Sequence, residues 1–495
     1  MRRISVFAIA IILVASAGAK EKLGNMKQAR TYAQYTFPVD PAYLYWTGDQ
    51  DLSYALASTL VQWDEKKQIR GSVASAWKKL NPTTFSFTIH PGLKWSNGAA
   101  VTSRQVKQSF ERAFKTYPDD LRSLIKMVDS IECPDDSTLD FRLREESKNA
   151  NLLGKLTEPQ YGILYIDKDG KPNLGVTTGA FYAAQSSGSE IILNRNPNWV
   201  FFSGDVAENI IVRKPKGDYD HQRVLLTDDW ANVTQTHSLM PQSLMDQYRS
   251  GGFSTWTRPR DRVYILTPSK SVLEKGQQDL LRFIDSKLDR KILEKNLAGF
   301  SIADQIFPHG YQLYDPDYKR TTGSVTLPAE FKARPIKILA PGGQSSAIHI
   351  QNIQAAITAA TGIAATVEFI PMDAASARRK KGDYDLYMES VGLADPDPEG
   401  LMSYYFEGGT AVIPSTDGTF LKRLDAARAL TDEKKRLQAM RSILTDAKNG
   451  GFVLPIYQMS TIGIGRAGVD LSKVAETDES VPFSKIRFSP AKAKQ

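Results

Sequence analysis

Two rhythms of apolar residues organise this chain. Between Thr84 and His90 apolar and polar positions alternate, which predicts a strand. A little further on, Val106, Phe110, Ala113 and Phe114 recur at three- to four-residue spacing, which predicts a helix with one buried face. Thr102 followed three residues later by Gln105 is a capping-box pattern, so the helix should begin near Thr102. Asn97-Gly98 supplies residue types that tolerate the positive φ of a tight turn. Trp95 stands at the seam of strand, turn and helix.

The same reading applied to residues 335–390 gives a topology. Ile336 to Leu339 predicts a short strand, Ile350, Ile353, Ile357 and Ala360 a helical stripe capped by Gly362, and Thr366 to Ile370 a second strand. A helix around Ala374 to Arg379 and a strand from Tyr384 to Met388 follow. Strand, helix and strand with short links imply a right-handed parallel crossover, and ligands of such α/β units sit outside the carboxyl ends of the strands. Leu280, Leu281, Ile284, Leu288, Ile292 and Leu293 predict one long helix ending at Gly299, and another helix is expected from about Asp432 to Lys448. Loops with Pro and Gly fill 308–328 and 393–418.

At 495 residues the chain exceeds the roughly 250–300 at which one hydrophobic core stops growing, so two or three sub-domains are expected. The start, MRRISVFAIAIILVASAGA, reads as a secretory signal peptide: Arg2 and Arg3, an apolar run from Ile4 to Ala15, and small residues before a cleavage expected after Ala19. The apolar run is shorter than the ~20 residues a membrane-spanning helix needs. The single cysteine, Cys133, allows no intrachain disulfide, reads as a structural thiol at a turn before a strand, and leaves no cysteine at the cleavage site to carry a lipid. Export without disulfides suits a bacterial periplasm.

The formal charge of +8 falls to +6 without Arg2 and Arg3. The basic residues are scattered apart from Arg378-Arg379-Lys380-Lys381, which reads as a solvated helix end, so nucleic acid is not an expected partner. Asp167-Lys168-Asp169-Gly170 begins like a calcium loop, lacks the remaining ligand positions and reads as a plain turn. There is no HExxH, GxSxG, GxxxxGK[ST] or strand-linked GxGxxG, and no two of the five histidines stand at metal-ligand spacing. The expectation is a protein that is not an enzyme and holds no metal or cofactor.

LKWSNGAAVTSRQVKQSFERA (93–113) closely resembles a signature of the bacterial extracellular solute-binding proteins of the oligopeptide, dipeptide and nickel-binding class, family 5. FPVDP (37–41), GVTTGAFY (175–182), LNRNPNWV (193–200), LLRFIDSKLDRKILEKNLAG (280–299), GDYDLYMESVGLADPDP (382–398) and FVLPIYQ (452–458) are similar to further segments of that family, in its order, across nearly the whole mature chain.

The resemblance implies an α/β, two-lobed periplasmic binding protein type II fold with an additional sub-domain, cluster C-like. Mapped onto this chain, lobe I takes 20–48, 175–213 and 455–495, the extra sub-domain 49–174 and lobe II 214–454. Trp95 and the 102–114 helix then belong to the extra sub-domain. The implied function is the substrate-binding component of an ABC importer, a monomer that encloses a di- to oligopeptide between its lobes and delivers it to a membrane permease. Asp395 takes the position that faces a terminal ammonium, with a cap of the turn before Pro396 as the other reading. Tyr45, Trp46 and Thr47 fall where the early loop runs beside ligand, with inter-lobe packing as the alternative. Leu393 and Tyr404 are candidates for the cleft wall. The chain departs from the family pattern at Val391-Gly392-Leu393, where Trp is common, at Pro396 and at Ala180. A metal chelate or oligosaccharide ligand, a sensory or chaperone-like role, and a secreted hydrolase remain as alternatives.

Overall fold

In the computed structural model the residues described are 27–33, 39, 50–64, 68–116, 123–148, 150–199, 206–216, 220, 222–236, 239–309, 311–319, 324–341, 347–371, 374–392, 398–407, 412–413, 418–474 and 482–488. The expected signal peptide, Tyr45, Trp46, Thr47, Leu393 and Asp395 lie outside them.

In chain order, strand β1 (Gln28–Tyr32) and helix α1 (Gln50–Leu56) come first. A four-stranded antiparallel sheet follows, built from β2 (Ala74–Asn81), β3 (Thr84–Ile89), β4 (Val128–Asp135) and β5 (Thr138–Leu143) in the order β2-β3-β5-β4. The helix Ser103–Thr116, α2, covers it, and Val106, Phe110 and Ala113 are buried as their spacing predicts. The capping box is present: Gln105 Oε1 accepts from the Thr102 amide at 3.0 Å, and the Gln105 amide donates to Thr102 Oγ1 at 3.4 Å. Trp95 is fully buried in the same core, and its Nε1 donates to Gln105 Oε1 at 3.0 Å. That shared acceptor fastens the Trp to the first turn of α2, while Gly98, at φ +87°, turns the chain between them. Cys133 lies inside β4, partly buried, rather than in the turn expected before a strand.

The chain then returns to β1. Strands β6 (Phe181–Ser186), β7 (Glu190–Arg195) and β8 (Asn209–Arg213) form a sheet in the order β1-β8-β7-β6, with β1 parallel to β8. Ala29, Leu52, Phe181, Ile210, Val233, Trp256, Val469 and Phe483 share one core here.

The remaining chain builds a seven-stranded sheet among the described residues. It contains β9 (Val233–Thr236), β10 (Ser254–Pro268), β11 (Phe300–Ile302), β12 (Ile336–Pro341), β13 (Ala365–Ile370), β14 (Leu386–Gly392) and β15 (Leu454–Gly465). The order is β9-β15-β10-β14-β12-β13, with β11 paired to β15. The crossover expected from the sequence is present: β12 is parallel to both β13 and β14, and helix α5 (Ala347–Thr361) links β12 to β13. Gly362, at φ +70°, ends α5 in the left-handed region that favours glycine.

The long helix expected over 280–299 is instead two short ones, α3 (Asp279–Lys287) and α4 (Arg290–Glu294). Leu288 adopts an extended conformation, and the Asp289 side chain accepts from the Lys291 amide at 3.0 Å, starting a new helix. The apolar spacing continues through this break because both pieces pack the same side toward one core; the signal that marks it is Asp289 as an N-cap. The helix expected at 432–448 is Glu433–Asn449, capped by Asp432.

Strands β10 and β15 are unusually long and pair with each other from Ser254↔Gly465 to Leu266↔Leu454. Their ends lie in different cores. Trp256 packs with the β1-β8-β7-β6 sheet, whereas Leu266, Leu454 and Ile456 pack with Ile338, Ile353 and Leu386. Between the two cores the pairing slips: Pro259 pairs with Ser460 and Val263 with Gln458, so three residues of β10 stand against one of β15.

Candidate functional site

Parallel strands β12, β13 and β14 all point their carboxyl ends the same way, at Pro341, Ile370 and Gly392. This edge of the sheet lies level with the slip in the β10–β15 ribbon, because Arg262 of β10 pairs with Gly392. An α/β strand-end site therefore sits beside the junction of the two cores.

Strand β14 enters this edge from a firmly anchored start. Asp385, just before it, is buried, and its carboxylate accepts from Arg334 Nη1 at 2.6 Å, Arg334 Nη2 at 2.7 Å and the Lys337 amide at 2.8 Å. Within GDYD the second aspartate thus serves as a clamp joining the β14 entry to β12. The charge of Asp385 pushes the Arg334 guanidinium still further above its ordinary range, mainly through these hydrogen bonds.

Midway along β14, Glu389 faces two helices, α6 (Ala375–Lys381) and α7 (Pro398–Phe406). The Tyr404 hydroxyl on α7 donates to Glu389 Oε1 at 3.1 Å. The other carboxylate oxygen, Oε2, is buried without a hydrogen bond, and Arg379 Nη1 on α6 is 3.8 Å away. Burial is the largest influence on Glu389 and holds its carboxyl above the usual range, against the charge of Arg379, the Tyr404 hydrogen bond and the charge of Arg262. Burial likewise raises the Tyr404 hydroxyl, helped by the neighbouring carboxylate. Arg262 donates from Nη1 to Ser390 Oγ at 3.0 Å and to Ser390 O at 3.2 Å. On the adjoining face, Tyr264 packs against buried His349, ring centroids 4.9 Å apart.

Of the site residues expected from the sequence, Tyr404 is described, and it reaches this edge with 43% of its surface exposed. The run Arg378–Lys381 is not simply a solvated helix end. Arg378 pairs with Glu368 at 2.8 Å and Asp383 at 3.2 Å, and Arg379 lies over the Tyr387 ring at 4.8 Å while approaching Glu389. Helical periodicity cannot show which charged side of a short helix faces a strand. Glu389 is absent from the sequence-derived candidates too, although a lone acid inside the apolar run Leu386–Val391 is a visible signal.

Asp167-Lys168-Asp169-Gly170 is a turn: Asp167 Oδ1 accepts from the Asp169 and Lys171 amides, each at 2.9 Å, and Gly170 has φ +75°. Among the described residues no group of three or more His, Cys, Asp or Glu is placed to hold a metal ion, and no helix is long and apolar enough to cross a membrane. An open groove of about 560 Å³ lies elsewhere, between α4 and α5. It is a packing seam: Asn352 at its floor donates to the carbonyls of Leu293 and Lys295.

Residues 68–232 match the model of the bacterial extracellular solute-binding proteins, family 5 Middle. The probable D,D-dipeptide-binding periplasmic protein DdpA of Escherichia coli (strain K12) is 24% identical over 452 residues, covering 83% of this chain and 84% of that protein. The crystal structure of NikA from Brucella suis in complex with Fe(III)-EDTA superposes with a TM-score of 0.77 at 15% identity, covering 93% of this chain and 100% of that one. DppA from Helicobacter pylori in complex with the peptide STSA gives 0.69 at 16% identity, over 93% and 98%. These likenesses identify the fold as that of the two-lobed periplasmic binding proteins of this class.

Proposed function

We propose that the chain is a family 5 bacterial extracellular solute-binding protein that captures peptides in the periplasm and delivers them to an ABC permease. The observation that carries the peptide reading is the similarity to DdpA, a probable D,D-dipeptide-binding protein, along most of both chains. The peptide complex of the H. pylori protein on the same fold supports it.

In this reading the β10–β15 ribbon is the flexible connection between lobe I (20–48, 175–213, 455–495, with the sub-domain 49–174) and lobe II (214–454). Ligand binds where the β12, β13 and β14 ends meet that ribbon, and it favours the closed arrangement by binding it better than the open one. Asp395, three residues beyond β14, faces the peptide ammonium as a charge-assisted acceptor. Tyr45, Trp46 and Thr47 contribute flat contact surface from lobe I, and Leu393 and Tyr404 wall the cleft. The chain acts as a monomer without catalysis.

A metal chelate is the second reading, favoured by the 0.77 superposition on NikA bound to Fe(III)-EDTA.

Thermal denaturation with pools of di- to hexapeptides tests the proposal. A peptide at a hundredfold its dissociation constant adds about 2.7 kcal/mol of stability. Asp395→Ala should abolish that shift while leaving the unliganded melting temperature unchanged. Silence from every peptide pool, with a shift from metal chelates, would replace the first reading by the second.

A further inference from the structure

One face of helix α8 (Glu433–Asn449) carries Arg441, Leu444, Thr445 and Lys448, residues a helical turn apart. Across from them runs the segment that follows β11, with Gln305, Asp315 and Tyr318. Between the two lies a small cavity of about 20 Å³. A cavity of more than roughly 10–15 Å³ holds one water-sized guest, so a single particle fits.

The unmet hydrogen-bonding capacity of the cavity wall belongs to donors. Arg441 Nε and the Tyr318 hydroxyl are buried and have no hydrogen-bond partner among the described residues. Arg441 donates from Nη2 to the Gln312 carbonyl, and among the described residues it pairs with no carboxylate. The Lys448 side chain is 4% exposed; its ammonium donates to Asp285 Oδ2 at 3.2 Å and stands 5.2 Å from the centre of the Tyr318 ring. Arg290 approaches the same Asp285 at 4.0 Å. Asp315 Oδ1 already accepts from the Asp317 amide at 3.0 Å, and Gln305 Oε1 from the Asp315 amide at 3.0 Å. Three cations, Arg290, Arg441 and Lys448, therefore stand against two carboxylates, Asp285 and Asp315. A buried donor left unmet costs about 1–3 kcal/mol, more where it is charged. A water that accepted from Arg441 and Tyr318 would still have to place its own hydrogens on acceptors that are engaged elsewhere. A monatomic anion accepts from every donor around it and offsets the surplus cation.

We propose that this cavity binds one small monovalent anion of halide size, held by Arg441 Nε and the Tyr318 hydroxyl beside the Lys448 ammonium. The bound anion fastens the segment after β11 to α8. That segment also reaches the β10–β15 ribbon, because the His309 amide donates to Gln458 Oε1 at 3.1 Å, and Gln458 borders the slip in the pairing. Occupancy of the cavity thus sets how firmly the chain beside that junction is held, whatever solute the protein captures.

Thermal denaturation of the full chain without peptide, in sodium chloride or bromide against sodium gluconate at equal ionic strength, tests the site. Gluconate is a reference anion too large for the cavity. The wild-type melting temperature should rise with the logarithm of halide concentration relative to gluconate. Tyr318→Phe and Arg441→Gln should each weaken halide binding about tenfold or more, since each removes a hydrogen bond to a charged guest. In gluconate Tyr318→Phe should melt no lower than the wild type, because the hydroxyl it deletes has no partner there. Lys434→Gln, exposed on the same helix, removes an equal charge outside the cavity and should keep the halide response. Crystals soaked in bromide should show an anomalous-scattering peak between Arg441 and Tyr318. An equal halide response in the wild type and both cavity variants, or a cavity that holds water and no bromide, would overturn the proposal. A wild type that binds no peptide defeats the peptide reading and leaves this test unaffected.

Discussion

Replacing Asp385 by alanine removes three acceptor contacts at once: two from Arg334, at 2.6 and 2.7 Å, and one from the Lys337 amide at 2.8 Å. Hydrogen bonds to a charged group contribute about 1.5–3 kcal/mol each, and breaking a buried ion pair from one side costs about 3–5 kcal/mol. Asp385 is 4% exposed, but the Arg334 side chain is 34% exposed and regains water when freed, which places the cost at the lower end. The Lys337 amide, left without an acceptor, adds back about 1 kcal/mol. Asp385→Ala should therefore destabilise the folded chain by about 3–4 kcal/mol, and Arg334→Met by about 2 kcal/mol. Because both variants break the same contacts, the double variant should be little worse than Asp385→Ala, giving a coupling near 2 kcal/mol. Urea denaturation followed by tryptophan fluorescence supplies the values from midpoint and slope. A cost below about 1 kcal/mol for Asp385→Ala, or strictly additive single variants, would refute the clamp.

Two further outcomes probe packing. Gly179→Ala in GVTTGAFY would place a Cβ 2.3 Å from Ala55 O and 2.4 Å from the Leu56 carbonyl carbon, both rigid backbone at the end of α1. A loss of about 1–3 kcal/mol or more is expected, read as a fall in melting temperature; an unchanged melting temperature would mean that α1 is free to move away. Trp95→Ala should cost about 3–5 kcal/mol from the core around α2, and peptide affinity in the chain that stays folded should equal that of the wild type, since Trp95 is wholly enclosed there. A change in affinity larger than tenfold would give Trp95 a role at the ligand.

Features set by neighbours in sequence were legible in the amino-acid pattern itself. The capping box at Thr102, the turn at Gly98, the α5 stripe ended by Gly362 and the N-cap at Asp432 depend on residues a turn or a strand apart, so their spacing carries the information. The order strand, helix, strand over 336–370 followed for the same reason. The break between α3 and α4 was concealed because the apolar rhythm continues across it, and only the Asp289 cap marks where it falls.

What tertiary structure alone decided are contacts between segments far apart in the chain. Residues 254–268 pair with 454–465, and β1 pairs with β8, because those surfaces bury each other; no local pattern names its partner. The slip between Pro259 and Val263 exists only relative to β15. Glu389 is an ordinary acid in sequence. It becomes an incompletely bonded buried charge only when α6 and α7 close over β14, because desolvation depends on which distant elements exclude the water.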